Sequence, residues 1–260
     1  MHAKSNSQAA QNSAWRMLKG LRPRPLDLQR IALIRDCDRE SLREPEQLES
    51  LLLALGLNDE GLDEFPERLH SYCGEGLRIW QFPCQFSRYL AKLIELDVHS
   101  YMELGIRHGG SYIATVEVLE RFRLLDRAVG VDIIHCESMA QYQRLNPRSK
   151  FECVNTQSPE FSEIVRRSAP IDLVFIDSHH EESQCRREFE SMRNHAAMIA
   201  LHDISNVGCP GVGKVWEELR ASGEYKCFEF IDQYESKAGP YMGIGLAVSR
   251  ERLLDGDGIQ

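Results

Sequence analysis

No Cys-x-x-Cys pair occurs in this chain: its eight cysteines (Cys37, Cys73, Cys84, Cys136, Cys153, Cys185, Cys209 and Cys227) stand singly. That excludes a zinc ribbon and argues against a disulfide framework, so buried thiols in a reducing, cytoplasmic compartment are expected. No apolar stretch reaches the roughly 18 residues a membrane span needs, and the N-terminus has no apolar signal-peptide core. Positive charge is short as well. A net charge of −9 excludes nucleic acid as the main partner, because phosphate contacts need clustered Lys and Arg. The first 43 residues run the other way, with nine Lys/Arg against four acids, and read as a solvated leader. Internal repeats are absent too.

What the chain does have is apolar mass: 42% hydrophobic residues, with three Trp and ten Phe, suffice for a large core. Residues 1–30 lack periodicity and read as a flexible leader, with a short helix around Trp15–Leu18. Residues 31–97 read as a helical cap. Pro45 opens one of its helices and Gly56 stops it, while Phe86, Leu90, Leu93 and Ile94 give a second helix, Gln85–Leu96, one buried face. From residue 98 to 250 strands and helices alternate, before a tail at 251–260. Strands are expected at Tyr101–Leu104, Ala128–Asp132, Phe151–Val154, Leu173–Asp177 and Met198–Leu201. Helices fall between them, and a further helix is expected at Lys214–Ala221. This alternation specifies an α/β fold, a doubly wound, mostly parallel sheet. Tyr225–Ile231 and Gly243–Val248 follow without a helix between them, which predicts an antiparallel hairpin at the sheet edge.

Chemistry concentrates between Ile171 and Asp203. Two apolar runs, Leu173–Ile176 and Met198–Leu201, end at Asp177 and at His202-Asp203. In open α/β sheets ligands bind beyond the carboxyl ends of the strands, so Asp177, His180, His202 and Asp203 should face one crevice. Adjacent strands lie about 4.8 Å apart, close enough for Asp177, His202 and Asp203 to share a divalent cation. The first strand runs into ELGIRHGGS, residues 103–111, a glycine turn leading to a helix N-terminus that offers amide donors to an anion. It is not the dinucleotide fingerprint, because Arg107 stands where a second glycine is needed. Asp132 closes the second strand, where an acid can accept ribose hydroxyls. GCPGVGK at 208–214 imitates a phosphate loop, but Val215 replaces the required hydroxyl and the stretch follows the fifth strand. His179/His180 with His202-Asp203 resembles the ligand set of an all-helical phosphohydrolase, which the strand preceding His202 excludes.

YMELGIRHGGS, VGVDI, DLVFIDSHH and IALHDIS, in this order, resemble class I S-adenosylmethionine (SAM) methyltransferases. The likeness is to the branch with cephalosporin-hydroxylase-like proteins and metal-dependent macrolide-sugar O-methyltransferases, and GLRIWQFPCQF and CPGVGKVWEEL share it. The resemblance implies a seven-stranded sheet with a reversed last strand, and a SAM-binding domain at 98–250. It implies that Glu103, Gly105, Gly109 and Ser111 line the methionine end of SAM, with Asp177 alongside, and that Asp132 holds the ribose. Trp80 and Gln81 fall near the cofactor pocket, and His180 corresponds to the catalytic base in a D-x-x-H relation to Asp177. A hydroxyl is a poor nucleophile near neutral pH; a cation (Mg²⁺ or Mn²⁺) on Asp177, His202 and Asp203 lowers its pKa, and a neutral imidazole takes the proton. The expected activity is O-methylation of a sugar, glycan or natural-product hydroxyl by an enzyme that could be a homo-oligomer. Two alternatives stand beside it: an iron-dependent hydroxylase using His180, His202 and Asp177 or Asp203, and a non-catalytic SAM-binding protein. Acceptor specificity is expected in the cap, in the segment after Asp203 and in the loop Ser236–Tyr241.

Overall fold

The computed structural model describes residues 23–123, 125–234 and 240–250. The helix expected around Trp15–Leu18, the tail and most of the loop Ser236–Tyr241 lie outside these residues. The cap holds helices α1 (Ile31–Asp36), α2 (Pro45–Leu55) and α3 (Pro83–Glu95), the last two opened by a proline whose missing N–H costs nothing in a first turn. Then come β1 (Ser100–Leu104), α4 (Gly110–Glu120), β2 (Arg127–Asp132), α5 (Glu137–Leu145) and β3 (Ser149–Cys153). They are followed by α6 (Pro159–Ser168), β4 (Ile171–Ile176), α7 (Glu182–Met192), β5 (Ala196–His202), α8 (Pro210–Ala221), β6 (Tyr225–Phe230) and β7 (Ile244–Ser249).

The seven strands form one sheet in the order β3-β2-β1-β4-β5-β7-β6. The first five are parallel, while β7 runs antiparallel to both β5 and β6. This is the expected doubly wound sheet with its edge hairpin and a reversed last strand.

Strand side chains alternate between two apolar layers, as a period of two requires. Tyr101, Leu173, Phe175, Met198 and Ala200 face the cap side and α4; Met102, Val174, Ile176, Ile199 and Leu201 face α6, α7 and α8. Both faces are covered, which is why these runs are apolar throughout rather than alternating in polarity. Cap residues Ile34, Leu52, Leu55 and Phe82 belong to the same core as the sheet, and α3 buries Phe86, Tyr89, Leu90 and Leu93 in it completely. Each of those side chains contributes on the order of 1.5–3 kcal/mol by leaving water.

Helix α8 starts at Pro210, four residues before the position its apolar spacing suggests. Gly211 explains the extension: a Cβ there would sit 2.5 Å from the Glu182 amide nitrogen, so the glycine lets the first turn of α8 touch the first turn of α7. Register then sets the site. Leu104 pairs with Val131 and with Ile176, and Ile176 pairs with Leu201, so Gly105, Asp132, Asp177 and His202 emerge side by side. Among the described residues no helix is long and apolar enough to cross a membrane.

Candidate active site

The glycine loop is fixed from behind. Gly105 has φ +88°, and a Cβ on it would lie 2.2 Å from the carbonyl oxygen of Asp177, so loop and β4 tip are in direct backbone contact. Gly109, at φ +96°, caps α4, and Gly110 admits the Leu77 carbonyl of the cap, where a Cβ would lie 2.0 Å away. Glu103 is completely buried, accepting hydrogen bonds from the Tyr101 hydroxyl and from Ser111 Oγ at 2.6 Å. Burial pushes its carboxyl up to about 8. Asp132 accepts from the amides of Arg107 (2.8 Å) and Ile134 (2.9 Å), and burial raises it too. Of the residues the resemblance assigns to SAM, Gly105, Ser111 and Asp177 line the cavity; Glu103, Gly109 and Asp132 stand behind it and hold the loop in shape.

The cavity measures about 390 Å³, within the range of small-molecule sites. One wall is the loop, one is the group following β4 and β5, and the cap supplies the third with Glu64, Arg78 and Trp80. Trp80 donates its indole N–H to Glu64 at 2.6 Å. Sequence reasoning missed Glu64 and Arg78; Glu64 carries no motif, and Arg78 lies within GLRIWQFPCQF without having been singled out. A second missed signal is conformational. The described non-glycine residues with positive φ are Arg78, Arg107, Asp203 and Met242, and all four line this cavity. Left-handed backbone at residues with a Cβ is unfavourable by roughly 1–2 kcal/mol apiece and gathers at functional sites.

The four polar residues expected to share a crevice do so. Asp177 Oδ1 lies 3.0 Å from His202 Nδ1 and 3.5 Å from His180 Nε2; Asp203 Oδ2 lies 3.1 Å from His180 Nδ1 and 3.6 Å from His202 Nδ1. Gln81 donates to Asp177 Oδ2 at 2.8 Å, and Asn206 to Asp203 Oδ1 at 2.9 Å. His179, by contrast, points outward and pairs with Glu181, as a surface residue would. Burial alone would raise the Asp177 carboxyl, but His202 and His180 bring it down to about 2. Burial opposes charge on His202, yet Asp177 and Asp203 lift it to about 9; His180 is raised for the same reason.

Two groups of three present ligand atoms mutually within 4.8 Å: Asp177, His180 and His202, and His180, Asp203 and Cys209. His180, expected as a base, is therefore also within ligating distance, and Cys209 was not anticipated. The donor chemistry suits a cation. His202 is 5% exposed, yet neither ring nitrogen has a hydrogen-bond partner in line, although Nδ1 is 3.0 Å from a carboxylate. Nδ1 therefore faces a carboxylate while Nε2 has no partner among the described residues, and a neutral ring could ligate a cation through Nδ1 beside Asp177. Neighbouring ligand atoms of an octahedral Mg²⁺, at about 2.0–2.1 Å from the ion, stand about 3 Å apart, matching the Asp177–His202 spacing.

Residues 102–204 match a family described as a methyltransferase domain. Among solved structures, the chain is similar to an O-methyltransferase from Bacillus cereus in complex with SAH: 14% identity, 82% of this chain and 92% of that one, TM-score 0.49. It is similar to TomG, an O-methyltransferase from Streptomyces achromogenes involved in tomaymycin synthesis and solved with SAM: 16% identity, 66% and 81% covered, TM-score 0.46. It is also similar to the MycE methyltransferase of the mycinamycin pathway, solved with Mg and SAH: 15% identity, 66% and 50% covered, TM-score 0.44. No curated protein matches by sequence. The match over residues 102–204 spans β1 to the end of β5, including the glycine loop that closes β1 and the tips of β4 and β5.

Proposed function

We propose that the protein is a SAM-dependent O-methyltransferase, assisted by a divalent cation and acting on a hydroxyl of a sugar, glycan or natural product. The observation carrying this reading is the buried His202 ring, its Nδ1 3.0 Å from Asp177 Oδ1, in the wall of a cavity that the glycine loop also lines. Asp177, His202 and Asp203 would hold the cation, with Gln81 and Asn206 orienting the carboxylates. A cation held there would supply Lewis-acid polarisation of an acceptor hydroxyl, while Asp177 and Asp203 hold the His180 ring between them. His180, 39% exposed and turned into the cavity, then takes the hydroxyl proton. Gly105 and Ser111 shape the donor side, and Trp80 with Glu64 forms the acceptor side. The methyl of SAM is already activated, so the chain's main task is alignment of oxygen, carbon and sulfur.

Incubation with labelled SAM, Mg²⁺ and a panel of glycosides and polyols tests this reading. Transfer should appear, vanish with chelator, and fall by about 10²–10⁴-fold in His180→Ala, the usual contribution of a general base. Turnover that survives chelation, or a His180→Ala variant near wild-type rate, refutes the mechanism. A second reading has its own support, since Asp177, His180 and His202 together are a two-His-one-carboxylate set of the kind that binds Fe²⁺ in oxygenases. Oxygen consumption by the anaerobically iron-loaded protein, without methyl transfer, would favour it.

A further inference from the structure

His180 faces two ways. Its Nε2 looks toward Asp177, whereas Nδ1 looks toward Asp203 Oδ2 at 3.1 Å and Cys209 Sγ at 3.3 Å, with Cys209 Sγ 3.5 Å from Asp203 Oδ2. These three atoms close a triangle on the cavity wall, and all three residues line the cavity. Zinc bonds of about 2.3 Å to sulfur, 2.0–2.1 Å to nitrogen and 2.0–2.2 Å to oxygen place tetrahedral ligands about 3.6 Å (S···N), 3.6 Å (S···O) and 3.4 Å (N···O) apart. The observed triangle differs from that by only about 0.1–0.3 Å on each side. A thiolate beside an imidazole and a carboxylate selects Zn²⁺ or Cd²⁺ over Mg²⁺, for which a soft sulfur ligand is a poor match. Burial, then the neighbouring Asp203, push the Cys209 thiol up to about 12.

We infer that Cys209, His180 and Asp203 form a soft-metal site, separate from the hard-cation set but sharing Asp203 with it, at which zinc shuts the enzyme off. Binding displaces the thiol proton to solvent, ties up His180 through Nδ1 and withdraws the Asp203 oxygen. The inhibitory consequence rests on the proposed methyltransferase reading; the site itself does not.

The test uses the full chain, stripped of metal, in two arms. Zn²⁺ affinity is measured by competition with a chromophoric chelator, and Co²⁺ is added as a spectroscopic substitute. The wild type should bind Zn²⁺ tightly and show a thiolate-to-cobalt charge-transfer band in the near ultraviolet. Cys209→Ser should lose the band and weaken Zn²⁺ binding by about a hundredfold or more, since even outer-shell changes reach that size. Its affinity for Mg²⁺ should change far less. A Cys209→Ser protein that keeps wild-type Zn²⁺ affinity, or a wild type without the cobalt band, overturns the site. In the activity arm, Zn²⁺ should inhibit Mg²⁺-supported methyl transfer in the wild type and do so at much higher concentration in Cys209→Ser; equal sensitivity overturns the shut-off. Absence of methyl transfer under all conditions would refute the methyltransferase reading while leaving the metal titration interpretable.

Discussion

Gly105→Ala tests the coupling between the donor loop and the β4 tip. A Cβ at Gly105 would lie 2.2 Å from the Asp177 carbonyl oxygen and 2.5 Å from Ser178 Cα, both backbone atoms that cannot swing aside as a side chain would. Two contributions add. Left-handed backbone at a residue with a Cβ is unfavourable by roughly 1–2 kcal/mol, and forcing extra volume into packed structure by roughly 1–3 kcal/mol, so about 2–5 kcal/mol of stability should go. Gly223→Ala is the control: its φ is +74°, but nothing lies within 4 Å of the added methyl, so only the backbone contribution applies. Urea denaturation of both variants, at matched slope, separates the two contributions. Because relief of the clash must move Asp177, Gly105→Ala should also weaken Mg²⁺ binding, and Gly223→Ala should not. Equal destabilisation of the two variants, or Mg²⁺ affinity untouched in Gly105→Ala, refutes the idea that this glycine is required by the neighbouring strand.

Glu103 should leave a signature in the pH dependence of stability. Its folded pKa is raised to about 8 from the usual 4.5, so its stabilising contribution is complete below about 4.5 and is lost as the pH rises toward 8. The difference between wild type and Glu103→Gln, measured by denaturation in chelator, should therefore slope by up to ~1.4 kcal/mol per pH unit across that window; a flat difference contradicts the assignment. Gln81→Leu removes the donor that orients Asp177 Oδ2, and calorimetric titration should find Mg²⁺ binding weakened by about 10–100-fold. An unchanged constant would mean that Asp177 needs no such support.

The sheet was legible because the cores of β4 and β5 are apolar on both faces and stop at Asp177 and at His202-Asp203, while β1 runs into a glycine turn, so their tips mark themselves. The third strand was read two residues late: in SKFEC only Ser149 is fully buried, and an edge strand with half-exposed residues carries a weak pattern. The start of α8 was missed because Pro210, Gly211 and Gly213 look like a loop, and the glycine that permits helix contact there is indistinguishable in sequence from one that breaks a helix. At the site, the acid and imidazole positions followed from strand ends. Cys209 beside His180 did not, since 29 residues separate them and only the packing of α8 on α7 closes the distance. The cap's Glu64 was hidden for a related reason: a cap is placed by its buried face, and the residues it turns toward a ligand obey no period, whereas Trp80 was legible through the GLRIWQFPCQF resemblance.

The Gly105 contact also bears on how such an enzyme could be reshaped. Two jobs usually thought of as independent, gripping a nucleotide-like donor and seating an ion, share a single point of touch between two polypeptide segments. A library that varies the residues around one of them alone will keep meeting the other as a hidden constraint. Useful variants should therefore be sought as paired changes on both segments, or on the cap wall of the cavity, where Glu64 and Trp80 bond to each other and not to that junction.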